Sequence, residues 1–190
     1  MRRCWAISCA ALVLALFGAA VAQEVLPVPP LSAHVIDQTS TLSAAQRQAI
    51  EAKLAALETR RGTQFVVLLV ATTQPEDIAA YAQRVGDTWK LGRRDIGDGL
   101  LIVVAKDDRR VNIQTAKALE GAVPDLAARR IIDAAIRPAF LANDYAGGLN
   151  AAVDALMARI DGEGLPAPKS GPRGSADPRP SLLGDWNLSE

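Results

Sequence analysis

Asp95, Asp98, Glu120 and Asp125 are the carboxylates of this chain whose placement allows joint chemistry. They flank a stretch, residues 100–114, that reads as a pair of strands joined by a polar turn. Carboxylates gathered from separate loops repel one another unless a cation, an arginine or a proton intervenes. With only oxygen donors on offer, a hard cation such as Ca²⁺ or Mg²⁺ is the guest that fits. Such a cation would hold the loops in place, or would polarise a phosphoryl oxygen and activate water. In the hydrolytic version Asp98, Glu120 and Asp125 act as ligands or base, and Arg109 or Arg110 clamps phosphate. The plainer reading makes these residues solvated loop and capping carboxylates paired with Arg93, Arg94 or Arg109. Asp95-x-x-Asp98-Gly99 is not the spaced pattern of an EF-hand loop, so spacing leaves both readings open.

Composition removes most other chemistry. The two cysteines, Cys4 and Cys9, lie at the very N-terminus, which leaves no disulfide framework, thiolate nucleophile or cysteine metal site for the rest. His34 is the one histidine, so a Ser-His-Asp triad and a His-rich zinc site are both disfavoured. Next to Val35 and Ile36 it reads as a surface or packing residue. Nothing signals an organic cofactor.

Arg2 and Arg3, the apolar residues 10–17 (AALVLALF) and Ala20-Val21-Ala22 form the three-part pattern of a secretory signal peptide. An uncleaved anchor is the competing reading, but the apolar stretch is short for a bilayer span. Cleavage near Ala22 would remove residues 1–22 and leave an exported chain, periplasmic or extracellular, with no second apolar segment to anchor it. The 21 basic and 21 acidic residues then become 19 and 21 as Arg2 and Arg3 leave. A slightly acidic chain without a basic stripe argues against nucleic acid and against strong attraction to anionic lipid.

The elements that must position the carboxylates are marked by hydrophobic pattern. Residues 65–71 (FVVLLVA) and 100–104 (LLIVV) are unbroken apolar runs of strand length, expected to be buried on both faces. Residues 110–114 (RVNIQ) alternate as a half-buried strand does, returning through the polar turn 106–109. Residues 34–37 (HVID) suggest a short edge strand. Ser43 with Gln46 predicts a capping box, Ile50, Leu54 and Leu57 an apolar stripe, and Gly62 a helix end. A second helix is expected from a Thr72 or Thr73 cap, with Pro75 in its first turn, Ile78, Ala82, Val85 and Trp89 on one face, and Gly92 as its stop. Pro124 opens a third, with Ile131, Ile132, Ala135 and Ile136 inward and Pro138 kinking or ending it near Arg137. Asn143 or Asp144 caps a last helix carrying Leu149, Val153, Leu156 and Ile160.

Strand, helix and strand in that order imply a parallel pair with a right-handed crossover. The fold class is therefore α/β: a mixed sheet of three to four strands with helices on both faces, a Rossmann-like α/β/α sandwich with a βαββ core. Its strand directions bring Asp95, Asp98, Glu120 and Asp125 to one end of the sheet and Asp107 and Asp108 to the other. The short edge strand leaves Asp37, a secondary candidate ligand, unassigned to either. Residues 23–31 read as a Pro-rich extended linker, 32–161 as the domain, and 162–190 as a Gly/Pro-rich tail that cannot bury enough to fold. Leu182, Leu183 and Trp186 near its end read either as a short docking motif on a tether or as a tail without function.

The ordered series Val35-Ile36-Asp37, Leu42-Ser43, Thr63-Gln64-Phe65-Val66-Val67, Trp89-Lys90-Leu91-Gly92-Arg93, Asp98 to Ala105, Asp108-Arg109-Arg110-Val111, Leu119-Glu120-Gly121 with Asp125, and Asp144 to Gly148 resembles the TPM domain, also called the TPM phosphatase domain. The resemblance covers residues 31 to about 160. It implies an α/β sandwich, an acidic cleft that takes Ca²⁺ in some members, acid-phosphatase activity as claimed for a plant relative, and roles in assembling or repairing membrane complexes. Partners among envelope or membrane proteins follow from it. The sequence departs from the family at Ala116-Lys117-Ala118, where Gly-Tyr-Gly is usual. Ala takes positive φ poorly, so a site built on that loop's backbone would be reshaped.

Overall fold

The computed structural model describes residues 24–166. The expected signal sequence and the Leu182, Leu183 and Trp186 segment lie outside the described residues. The sheet has four strands in the order β1 (Val35–Asp37), β2 (Gln64–Val70), β3 (Gly99–Ala105) and β4 (Arg110–Thr115). β1, β2 and β3 are parallel, and β4 is antiparallel to β3. Every residue of β2 and β3 is buried, as two unbroken apolar runs require of central strands covered on both faces.

Alternation along these strands divides the core. Phe65, Val67 and Leu69 with Leu100, Ile102 and Val104 face helices α1 (Ala44–Arg61), α3 (Asp125–Ile131) and α5 (Tyr145–Asp161). Val66, Leu68 and Val70 with Leu101, Val103 and Ala105 face α2 (Ile78–Trp89). Helices therefore cover both sides of a mixed sheet, and the fold is α/β.

Local chemistry explains the helix ends. Ser43 caps α1: Gln46 N donates to its Oγ at 3.2 Å and Ser43 N donates to Gln46 Oε1 at 2.9 Å. Gly62 closes that helix in the left-handed region at φ 78°. Replacing Ser43 with alanine removes one bond of this box and is expected to cost about 1 kcal/mol in urea unfolding. No loss would show that solvent satisfies the first turn equally well.

Two helices start or continue differently from the pattern. Asp77, not Thr72 or Thr73, caps α2, and Pro75 precedes the helix. Asp108 captures both threonines instead, accepting from Thr72 Oγ1 at 2.8 Å and Thr73 N at 2.9 Å. Lys90 ends α2 in the left-handed region, two residues before Gly92. Pro138 does not end the third helical stretch. A π-helical turn, Ile132–Ile136, widens the backbone and leads into α4 (Arg137–Leu141), where the proline sits in a first turn that needs no N–H from it.

Residues 24–31, read from the sequence as a linker, are docked on α2. Trp89 Nε1 donates to Pro29 O at 2.7 Å, Arg84 Nη2 donates to Leu26 O at 2.8 Å, and Leu26, Val28 and Leu31 pack on the α2 core. The C-terminal side is pinned too: Arg93 Nη1 donates to Pro166 O at 3.0 Å, and Leu165 packs against the larger cluster.

Candidate functional site

Asp98 stands at the amino end of β3 and is fully buried. Two glycines place it there. Gly92 has φ 91°, and a Cβ on it would lie 2.3 Å from Gly99 N, while a Cβ on Gly99 would lie 2.5 Å from Leu91 O. The loop after α2 thus crosses against the start of β3 at backbone contact and folds Arg93 onto Asp98. Arg93 N donates to Oδ1 at 2.8 Å, and Arg93 Nε and Nη2 donate to Oδ2 at 2.9 and 2.7 Å. The cation that Asp98 requires is supplied by the chain itself.

Ala118 N donates to Gly97 O at 3.2 Å, which brings the turn before Glu120 to this end, and Asp95, Glu120 and Asp125 are all exposed. Among the described residues no group of three or more His, Cys, Asp or Glu is arranged to hold a metal ion. Ala116 takes φ −78°, so alanine is relaxed there, and Lys117 lies exposed in the 3-10 turn Lys117–Leu119.

Asp37 ends β1 at the opposite, carboxyl end of the parallel strands. It accepts from Thr39 N, Thr39 Oγ1 and Leu42 N, and these bonds hold its carboxyl below the usual range against the opposing effect of burial. It shapes the loop into α1. Arg109 and Arg110 also belong to this far end, since Arg110 pairs with Ala105 across the hairpin. Asp98 cannot share a site with these arginines, because the length of β3 separates them, whereas Asp125 opens the helix whose Arg129 reaches the arginines' end. This corrects the five-residue hydrolytic set expected from the sequence.

The far end instead holds a cleft of about 860 Å³. Lys106, Arg109 and Arg110 enter it from the hairpin and Arg129 and Arg137 from the helical stretch, and no Asp or Glu lines it. Arg110 meets Asp77 at 2.9 Å and Arg137 meets Asp133 at 3.1 Å, both in exposed pairs. Lys106, Arg109 and Arg129 have no carboxylate partner among the described residues. The floor is apolar, formed by Ile132, Ile136 and Phe140, and Leu141, 77% exposed, also lines the cleft. The Phe140 and Tyr145 rings meet tilted by 43° with centroids 4.6 Å apart, and Lys106 Nζ lies 5.5 Å from the Tyr145 ring centroid. Arg109 itself has φ 53°, a conformation glycine would adopt at less cost.

The sequence offered a weak signal for this cleft, because its cations come from two elements that adjoin only in the fold. His34 is the packing residue that the sequence allows, but its two carboxylate partners were not anticipated. It is fully buried between two carboxylates of α1, with Nδ1 2.7 Å from Glu51 Oε1 and Nε2 2.9 Å from Glu58 Oε2. Burial alone would push its pKa down, but the bonds and charges of the two glutamates outweigh that and raise it to about 9. A doubly hydrogen-bonded imidazolium has no free nitrogen for catalysis, so its role is structural.

With this geometry in hand, the comparisons are specific. The model of the TPM domain family matches residues 35–159. Among solved structures, the chain is similar to the N-terminal domain of a protein from P. gingivalis, with 30% identity, coverage of 69% of this chain and 83% of that one, and a TM-score of 0.63. It also resembles the N-terminal domain of the cg2496 protein from Corynebacterium glutamicum, at 19% identity, 71% and 86% coverage and a TM-score of 0.54. The BA42 protein from Bizionia argentinensis is similar at 21% identity, 66% and 86% coverage and a TM-score of 0.57. The last two speak for the fold alone. Comparison with curated proteins found no match.

Proposed function

The chain belongs to the TPM domain family, and on that premise we propose that it is an exported accessory module that binds acidic segments of envelope proteins in the cleft beside the β3–β4 turn. The carrying observation is the convergence of five cationic side chains without a lining carboxylate over an apolar floor. Such a site suits a ligand that alternates acidic and apolar groups. Its position agrees with the general rule that open α/β sheets take ligands outside the carboxyl ends of their parallel strands. Its volume suits a short peptide segment. The left-handed Arg109 adds support, since a strained non-glycine residue on a turn points to use of its side chain. Export rests on the N-terminal signal pattern of the sequence.

The test is fluorescence anisotropy with a labelled peptide of alternating Asp and Leu, and a Lys and Leu peptide as control. The acidic peptide is expected to bind and the basic one not. Joint Arg109→Glu and Arg129→Glu substitution should weaken binding about 10- to 50-fold, as two partly screened attractions become repulsions. Equal binding of both peptides, or indifference to the double substitution, would overturn the assignment.

A further inference from the structure

Residues 181–190, SLLGDWNLSE, carry the chemistry that the cleft selects. Leu182, Leu183, Trp186 and Leu188 are interleaved with Asp185 and Glu190, and the segment has no Lys or Arg. Resting on the cleft reading above, we propose that this segment docks in the cleft of its own chain and competes there with acidic ligands from outside. Leu183 and Trp186 would cover Leu141 and Tyr145, which otherwise present apolar surface to water, while Asp185 would meet Arg109 and Arg129.

Charge singles out these ten residues within the tail. The preceding residues 167–180 contain Lys169, Arg173 and Arg179 against Asp177 alone, so a cationic cleft disfavours them. Length permits the contact. The chain leaves the described fold at Pro166, held by Arg93 at the Asp98 end of the sheet. The cleft opens at the other end of β3, about 23 Å away for the seven residues of that strand. Fourteen residues extend to at most about 46–50 Å, and a coil of that length has a root-mean-square span of about 20 Å. The required span falls between the two, where the effective concentration of a tethered ligand reaches about millimolar. A segment with a free affinity of only about 100 μM would then fill the cleft about nine-tenths of the time, weakening outside ligands about 10-fold.

The experiment compares the intact chain with its Leu183→Ser and Trp186→Ser variant by amide NMR, then titrates both with the Asp and Leu peptide. The substitutions lie outside the described domain, so its folding is not at stake. The proposal expects amide shifts confined to residues such as Arg109, Leu141 and Tyr145, and about 10-fold tighter peptide binding by the variant. Unchanged amides and equal peptide affinity overturn the docking while the cleft reading stands. Absence of peptide binding by both chains overturns the cleft reading and the docking with it. Shifts that vanish on about tenfold dilution place the segment in a second copy and overturn docking within one chain.

Discussion

Replacing His34 with alanine is expected to lower the unfolding free energy by about 3–5 kcal/mol, because it leaves buried carboxylate without its counter-charge. Glu58 is 2% exposed and loses the imidazolium that faces it. Glu51 still accepts from the backbone N–H groups of His34 and Val35, and Glu58 from Gln64 Nε2 at 3.3 Å, so the lost counter-charge rather than lost hydrogen bonding sets the cost. The same ion pairs give stability a pH dependence. His34 has a folded pKa of about 9, above the ordinary value of 6.5. Its contribution is therefore complete below pH 6.5 and disappears as pH rises through about 9, a loss on the order of 3 kcal/mol. Glu51 is shifted the other way, downward: although burial opposes ionisation, its bonds to His34 and Val35 prevail. Its contribution is present above the ordinary carboxylate value and lost as pH falls through its lower folded value. Urea unfolding of the two proteins at several pH values separates this pair from other titrating groups. A difference between wild type and His34→Ala that stays constant from pH 6 to pH 10 would refute the assignment.

Asp98→Asn is expected to cost about 2–4 kcal/mol, slightly less than complete removal of a buried partner, since the amide oxygen still accepts one bond from Arg93. A second substitution, Arg93→Gln, should recover part of that loss, with a coupling of about 1–3 kcal/mol in a double-mutant cycle. Thermal unfolding in chelator and then with Ca²⁺ or Mg²⁺ tests the competing role for Asp98. A cation bound only to the folded chain raises the midpoint in a concentration-dependent way. The Arg93 pairing predicts no such rise. A rise that Asp98→Asn abolishes would restore the metal reading, and additive effects of the two substitutions would dismiss the pair.

The fold was legible wherever local pattern and tertiary environment agree. Residues 65–71 and 100–104 are apolar without interruption because both faces of β2 and β3 are covered, and the observed strands differ from these runs by a residue at either end. Leu149, Val153, Leu156 and Ile160 are all buried, as their spacing requires. Failures came where a distant partner decides. Thr72 has the chemistry of a helix cap, but its hydroxyl is taken by Asp108 from the hairpin. Pro138 reads as a breaker because the sequence does not show a π-helical turn ahead of it. The site was harder. Strand direction alone leads one to expect Asp95, Asp98, Glu120 and Asp125 toward one end, yet only the fold shows Arg93 bent back onto Asp98. A clue to His34 was available: Glu51 and Glu58 are two turns apart on α1, and Glu58 adjoins the apolar stripe beside Leu57. A glutamate at the edge of a buried face needs a partner.

The buried central strands also determine how substitutions combine. The Arg93–Asp98 anchor and the cationic cleft stand about 23 Å apart along the seven residues of β3, well beyond the ~7–10 Å within which substitutions usually interact. Free-energy changes at the two places should therefore add. The cleft can be inverted in charge, narrowed or given a new floor while the anchor keeps its full contribution. One small domain thus offers a stable base and an independently rewritable cleft, the property sought in a scaffold for engineered binders.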